Sequence, residues 1–350
     1  MSVSSKIAIV ILNWNGAHLF AEFLPTVIRH SQRDDVSIFV ADNGSTDGSI
    51  ACLKENYPQA NIIELGINYG FSKGYNLALQ QVNAEYFVLL NSDIEVTEGW
   101  LDPCINQLDS LPAIAALQPK IISYRNRDQF EYAGAAGGFI DKWGYPFCRG
   151  RILSKTEVDN RQYDDRISLF WATGACMFIR AGAFRESGGF DEDFFAHMEE
   201  IDLCWKLKNQ GWQIGFEPSS VVYHLGGATL SYQSPQKIFL NFRNNLWMLF
   251  KNLPKGKLLP VMFVRLFLDG VAAAHFISVG QFSAFYAVVK AHMAFCSSLK
   301  YIIRKRKQLL PKTVIQHHPE IYKGSIVFMF YLRKQYKFSD LNFHPPVQDI

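Results

Sequence analysis

Two short acidic stretches have the residue types and spacing that catalysis on an anionic substrate would need. In Leu89-Leu90-Asn91-Ser92-Asp93-Ile94-Glu95 an apolar run ends on a carboxylate, and a second follows two residues later. Hard divalent cations of the Mg²⁺ or Mn²⁺ class take oxygen ligands and keep waters or phosphate oxygens. One strand-end carboxylate can therefore tether a metal that a diphosphate completes, although an isolated Asp at such a place reads equally as a turn residue. The second stretch is Glu199-Glu200-Ile201-Asp202, at the start of a helical segment. A carboxylate there can take a proton from a hydroxyl. On a helix Glu199 and Asp202 are i,i+3 neighbours while Glu200 points about 100° away from Glu199, and acids at a helix start also complement its dipole. His224, ahead of Gly226-Gly227, is a candidate metal or phosphate neighbour or an ordinary structural histidine.

The elements that would carry these residues can be read from periodicity. Ile7–Asn13, Val36–Asp42, Asn61–Leu65 and Tyr86–Asn91 are short and rich in Val, Ile and Phe, as strands are; helical stretches near Ala17–His30, Asp47–Asn56 and Ser72–Val82 separate them. Pro25 is expected to kink or restart the first helix. Alternation of this kind implies an α/β fold, a mainly parallel sheet with helices on both faces and a ligand site outside the carboxyl ends of its strands. Asn13, Asp42 and Asp93 fall at those ends, and Asp42 opens a turn, Asp42-Asn43-Gly44-Ser45-Thr46-Asp47-Gly48, that leads into a helix. Residues 125–167, where glycines alternate with aromatics, read as a long substrate loop. Beyond them Ser168–Arg180 reads as a strand, Met198–Asn209 as a helix and Trp212–His224 as one or two strands.

Charge divides the chain. Residues 1–235 carry 18 Lys and Arg against 28 Asp and Glu, a net of −10, and residues 236–350 carry 17 against 4, a net of +13. A basic second part suits an anionic surface, with lipid and nucleic acid as candidates. Within it, Gly270–Val289 holds 20 residues without a formal charge, the nominal length of a membrane span. His275, Ser278, Gln281 and Ser283 interrupt that stretch, which favours an amphipathic helical pair lying at a membrane interface. Lys300 and Arg304-Lys305-Arg306-Lys307 would face anionic head groups there. A soluble helical subdomain with a solvated basic face is the plainer alternative. No signal peptide is visible. The six cysteines form no C-x-x-C pair and read as reduced thiols of a cytoplasmic protein.

The ordered set of motifs is more specific than any member. Asn13-Trp14-Asn15-Gly16, the Asp42 turn, Asn68-x-Gly70-x-x-x-Gly74-x-Asn76 and Asn91-Ser92-Asp93 are followed by Thr173-Gly174-Ala175, Gly188-Gly189-Phe190-Asp191, Glu199-Glu200-Ile201-Asp202-Leu203 and His224-x-Gly226-Gly227. This succession, over about residues 6–230, resembles the family-2 inverting glycosyltransferases of the GT-A fold, in particular their rhamnosyltransferase-like bacterial branch. The resemblance implies a catalytic domain over 1–235 and a basic helical, membrane-associated region over 236–350. It implies donor binding by Asn13, Asp42, Asn68, Gly70, Gly74, Ser92 and Asp93, with Asp42 accepting from the base. Asp93 and His224 would face a Mg²⁺ or Mn²⁺ ion, Glu200 would be the general base with Glu199 or Asp202 in reserve, and Trp171, Thr173 and Gly174 would lie on the acceptor side. Asn91 and Ser92 stand where stricter members carry acids, and Glu200 where the family has Asp. Arg243-Asn244-Asn245 also recurs in this branch; Arg243 is a candidate donor-phosphate contact or part of a solvated helix face.

The implied reaction is a single displacement from a nucleoside diphosphate sugar, UDP- or dTDP-linked, onto a glycan or lipid-linked acceptor of cell-surface polysaccharide synthesis. It would take place at the inner face of the cell membrane. A sugar-nucleotide pyrophosphorylase would want a glycine-rich basic loop where Asn13-Trp14-Asn15-Gly16 stands. A nicotinamide dehydrogenase would want G-x-G-x-x-G after the first strand. A nucleic-acid binder lacks a reading motif. A catalytically inactive nucleotide-sugar-binding or scaffold protein is the alternative that the departures at Asn91, Ser92 and Glu200 leave open.

Overall fold

A computed structural model describes residues 4–226 and 234–348. In chain order the elements are β1 (Ser4–Asn13), α1 (Ala17–His30), β2 (Val36–Asp42), α2 (Ser49–Asn56), β3 (Asn61–Glu64), α3 (Gly70–Gln80), β4 (Asn83–Asn91), β5 (Ile94–Val96), α4 (Leu101–Ser110) and β6 (Ile114–Ser123). Then follow β7 (Gly138–Asp141), β8 (Pro146–Cys148), β9 (Arg151–Ile152), β10 (Lys155–Thr156), β11 (Ser168–Leu169), β12 (Cys176–Arg180), α5 (Ala181–Glu186), α6 (Glu199–Asn209) and β13 (Gln213–His224). The last part holds α7 (Pro235–Asn252), α8 (Lys255–Ser278), α9 (Phe282–Ser297), α10 (Leu299–Leu309), β14 (Ile321–Tyr322) and α11 (Ile326–Tyr331).

Among the described residues the main sheet runs β11-β13-β6-β12-β4-β1-β2-β3, with β5 on β13. Strands β3, β2, β1 and β4 are parallel, as expected; β12 enters antiparallel between β4 and β6, so the sheet as a whole is mixed. Strand alternation sorts the core into two layers. Ile7, Ile9 and Ile11 of β1 pack with Phe20, Leu24, Leu53, Cys104 and Ile105 of α1, α2 and α4. Ala8 and Val10 face Tyr75, Ala78, Phe184 and Leu203 of α3, α5 and α6. The register matters for function: Asn13 is level with Asp42, and Leu12 with Asn91, so the polar strand ends line up at one edge.

Pro25 sits inside α1, which continues through it as one helix, so of the two expected effects a restart does not occur. Two other expectations change. Ser168–Arg180 is two strands, β11 and β12, that pair with different neighbours. Residues 125–167 are not one long loop: β7 to β10 make a second sheet, which β14 joins from the C-terminal end of the chain. Phe139 and Phe147 of that sheet pack on Phe338 and Phe343, so the end of the chain returns to cover it. Gln348 likewise accepts a 2.7 Å hydrogen bond from Gln107, and Glu320 pairs with Lys208 at 2.9 Å.

Helix α8 has its polarity inverted. Its charged pair, Arg265 and Asp269, lies 3.0 Å apart and buried, with the Arg265 guanidinium 3.8 Å from the Tyr145 ring centroid. Its apolar side is open: Leu259 is 78% exposed, Phe263 75% and Phe267 66%. By length and composition α8 is the one described helix able to cross a membrane. The open stripe continues on α9 through Phe282, Tyr286 and Met293. The expected basic cluster on α10 is only partly at the surface. Lys305 turns inward to Asp191 and Asp193, and Arg306 donates to the carbonyl of Phe250 at 2.7 Å, which leaves Lys300, Arg304 and Lys307 exposed.

Candidate active site

The carboxyl ends of β1 and β2 are stitched into one rim. Asn13 Nδ2 donates to Asp42 Oδ1 at 3.0 Å and to Ser45 Oγ at 3.1 Å, and the Ser45 amide donates to Asp42 Oδ2 at 3.0 Å. Asp42 thus closes its own turn, while the buried Asn13 Oδ1 accepts nothing among the described residues. Asp47 receives the amides of Ala17, 2.9 Å, and Ser49, 3.1 Å, tying the starts of α1 and α2 to this rim. Asn68 Oδ1 accepts from the Gly70 amide at 2.8 Å and from Asn43 Nδ2 at 3.2 Å, so it shapes the loop. Gly70, at φ +77°, cannot carry a side chain: a Cβ would lie 2.5 Å from the Phe195 ring. Gly74 is buried against Leu12, and Ser92 is half-buried after β4.

Asp93 and His224 come together from the ends of β4 and β13. His224 Nε2 lies 3.2 Å from Asp93 Oδ1, and its Nδ1 lies 3.3 Å from Glu131 Oε2, with all three residues buried. Burial alone would lower the imidazole pKa; Glu131 and Asp93 outweigh it and raise it to about 10. Burial raises Asp93, but His224 more than offsets this and holds the carboxylate below its ordinary range. Glu131 has no motif around it and was invisible to sequence reasoning. Gly227, the last member of the His224 motif, lies outside the described residues.

No group of three or more His, Cys, Asp or Glu is arranged for a metal among the described residues. The donor set at Asp93 and His224 is one carboxylate and one imidazole. That pair would hold a hard divalent cation, which would supply positive charge to an anionic ligand, provided that His224 were neutral. Glu131 then stands behind His224, as second carboxylates stand behind many metal-bound histidines.

The acidic start of α6 sorts into roles. Asp202 is tied down: Oδ2 accepts from Lys251 at 2.8 Å and Oδ1 from Asn252 at 2.7 Å. Glu199 and Glu200 each keep a buried Oε2 without a partner among the described residues. Burial, then Glu200 and Asp202, pushes the Glu199 carboxyl well above its ordinary value; burial pushes Glu200 up to about 7. A carboxylate with a pKa near neutrality is suited to take a proton at physiological pH. Gly174 gives it room: a Cβ there would lie 3.0 Å from the Phe71 ring and 3.8 Å from Glu200 Cβ.

The loop into α6 is unusual. Phe195, His197 and Met198 all have positive φ, at 59°, 70° and 71°. Such backbone persists only when its surroundings enforce it. The enforcing residue is Asn244 of α7, fully buried, whose Nδ2 donates to the carbonyls of Phe194, Ala196 and His197 at 3.0, 2.9 and 2.8 Å. Arg243 adds a 3.0 Å bond to the carbonyl of Asp193 and stacks on Trp247. Neither a solvated face nor a lone phosphate contact describes this pair: Arg243-Asn244 secures the backbone that delivers Glu199 and Glu200.

Two acceptor-side residues are corrected. Trp171 is 3% exposed, its indole N–H donates to the carbonyl of Phe139 at 2.9 Å, and its ring fills the space a Cβ on Gly138 would need, so it offers no face to a sugar. Thr173 is buried, with its amide donating to Gln118 Oε1 at 3.0 Å and its hydroxyl accepting from the Ala175 amide at 3.2 Å. Gly174 lies against the Phe71 ring and near Glu200.

The polar ends of the parallel strands, the Asp93–His224 pair and the unpartnered Oε2 atoms of Glu199 and Glu200 are carried on a GT-A fold. The description "Glycosyl transferase family 2" matches residues 8–188, and the chain belongs to that family. It is a glycosyltransferase whose sequence relatives include rhamnosyltransferases. An N-acetylglucosaminyl-diphospho-decaprenol L-rhamnosyltransferase of Mycobacterium tuberculosis is 29% identical over 227 residues, covering 60% of this chain and 72% of the relative. Two solved structures share the fold. GalNAc-T7 with UDP, GalNAc and Mn²⁺ has a TM-score of 0.56 at 15% identity, over 71% of this chain and 48% of that one. The mannosyltransferase PcManGT of Pyrobaculum calidifontis with GDP-Man and Mn²⁺ has a TM-score of 0.52 at 14% identity, over 89% and 86%.

Proposed function

We propose that this enzyme moves a sugar, rhamnose or a related hexose, from a UDP- or dTDP-linked donor onto a lipid-linked glycan at the inner face of the cell membrane, in cell-surface polysaccharide synthesis. The observation that carries the reading is Glu200: a carboxylate with one buried, unpartnered oxygen and a pKa raised to about 7, set beside Gly174. Asn13 and Asp42 bind the nucleoside, and Asp93 with His224 faces the diphosphate. A divalent cation held by that pair would supply positive charge against the leaving diphosphate. Glu200 takes the acceptor hydroxyl proton as that oxygen bonds to the anomeric carbon; the bond from that carbon to the diphosphate breaks on the opposite face, and the configuration inverts.

The M. tuberculosis relative, whose name specifies a diphospho-decaprenol acceptor, supports a lipid-linked acceptor here. The open apolar stripes of α8 and α9 and the exposed Lys300, Arg304 and Lys307 support a resting place on an anionic membrane. Because the Arg265–Asp269 pair faces the protein, α8 lies along that surface instead of crossing it. The test is transfer from a panel of UDP-, dTDP- and GDP-sugars to a lipid-diphosphate-linked GlcNAc, with the anomeric configuration of the product read by NMR. One donor consumed with inversion supports the proposal; donor binding without turnover across the panel returns weight to a non-catalytic binding protein.

A further inference from the structure

An open cleft of about 770 Å³ lies between the start of α7 and α9, with Phe195 among its lining residues. Phe239 and Tyr286 give it aromatic walls, and two cations enter it, Arg243 and Lys290. Both lie against the same ring: the Arg243 guanidinium is 5.2 Å and the Lys290 ammonium 5.4 Å from the Phe239 centroid. Neither makes a carboxylate contact within ion-pair distance among the described residues, although Arg243 is half-buried and burial lowers its pKa. Two positive charges flanked by aromatics, half-buried Arg243 with Asp193 and Asp191 near it but beyond ion-pair distance and exposed Lys290, suit an anion carrying an apolar chain.

Two lining residues tie the cleft to other parts of the molecule. Tyr286 belongs both to its wall and to the exposed stripe of α9 that Phe282 and Met293 continue. Phe195 lies four residues before Glu199, and its carbonyl accepts from the Phe71 amide at 2.6 Å; Phe71 in turn packs at Gly174 near Glu200. We infer that this cleft is the acceptor subsite for an isoprenoid diphosphate: the chain lies along Phe239 and Tyr286 toward the membrane, the diphosphate meets Arg243 and Lys290, and the attached sugar reaches Glu200. The inference rests on the lipid-linked acceptor proposed above and assigns the residues that would bind it.

Farnesyl diphosphate, farnesol and inorganic pyrophosphate, titrated into the full-length protein with saturating UDP and dTDP, test it. Farnesyl diphosphate should bind at least about tenfold more tightly than either fragment, and Lys290→Glu and Tyr286→Asp, both at exposed positions, should each weaken it by about tenfold or more. Displacement by the nucleotides, equal binding of pyrophosphate, or unchanged affinity in both variants would overturn the inference. Donor turnover in the same preparations separates the two readings. Turnover intact with no isoprenoid diphosphate binding defeats the subsite alone; binding intact with no donor consumed defeats the glycosyl-transfer proposal and leaves the cleft standing.

Discussion

The Asn244 carboxamide donates to the carbonyl oxygen of His197 at 2.8 Å, two residues before the paired glutamates. Together with its bonds to Phe194 and Ala196 this fixes a four-residue run, Phe195 to Met198, in which three residues have positive φ. Asn244→Ala should strand those carbonyls and cost about 3 kcal/mol or more of stability, since a buried acceptor left unmet costs about 1–3 kcal/mol and three lose their donor. kcat should fall while donor KM stays nearly constant, because the nucleotide rim is untouched. Urea unfolding and steady-state kinetics read the two effects.

The pH profile follows from Glu200. It must be ionised to accept a proton, so kcat/KM should rise with pH and level off above about 7. Stability runs the other way. The folded group holds its proton to higher pH than the unfolded one, so its contribution is complete below the ordinary glutamate value and is lost as pH rises through about 7. Glu200→Gln should therefore be more resistant to denaturant than the parent enzyme at pH 8 and not at pH 4.

Glu131→Gln removes the carboxylate behind His224 without changing shape. If the Asp93–His224 pair holds the metal, Mn²⁺ affinity, followed by the EPR signal of the free ion, should fall about 10–100-fold. Unchanged affinity would put the metal elsewhere.

Trp171→Ala should behave as a core substitution and lose about 3–5 kcal/mol. Trp171→Phe, which keeps most of the volume, should restore most of the stability and leave acceptor KM unchanged. A raised acceptor KM in a stable Trp171→Phe enzyme would return Trp171 to the acceptor side.

Phe263→Ser with Phe267→Ser removes two exposed phenylalanines of α8 that contribute nothing to the interior. Sedimentation with anionic liposomes should fall sharply while solution stability holds, and the parent protein should bind more weakly as salt rises.

The strands and helices that bear Asn13, Asp42 and Asp93 were legible because their runs are long enough to show a period. Residues 125–167 were not: strands of two to four residues separated by turns carry no alternation to count. Antiparallel entry of β12 depends on contacts distant in sequence, as does the return of Phe338 and Phe343 to the second sheet. Motif order pointed to Glu199, Glu200 and His224, but not to which carboxylate is free. Asp202 is spoken for by Lys251 and Asn252, forty-nine and fifty residues away. Charge counting overstated the basic surface, since Lys305 and Arg306 are spent inside.

The measurement closest to the centre of this account is single-turnover sugar transfer by Glu200→Gln with saturating donor and acceptor. Loss of a proton acceptor should slow transfer by about 10²–10⁴-fold, with donor affinity within about twofold of the parent enzyme. A transfer rate within tenfold of the parent would contradict the assignment of Glu200 as the base and turn attention to Glu199, the other carboxylate of the pair with an unpartnered oxygen.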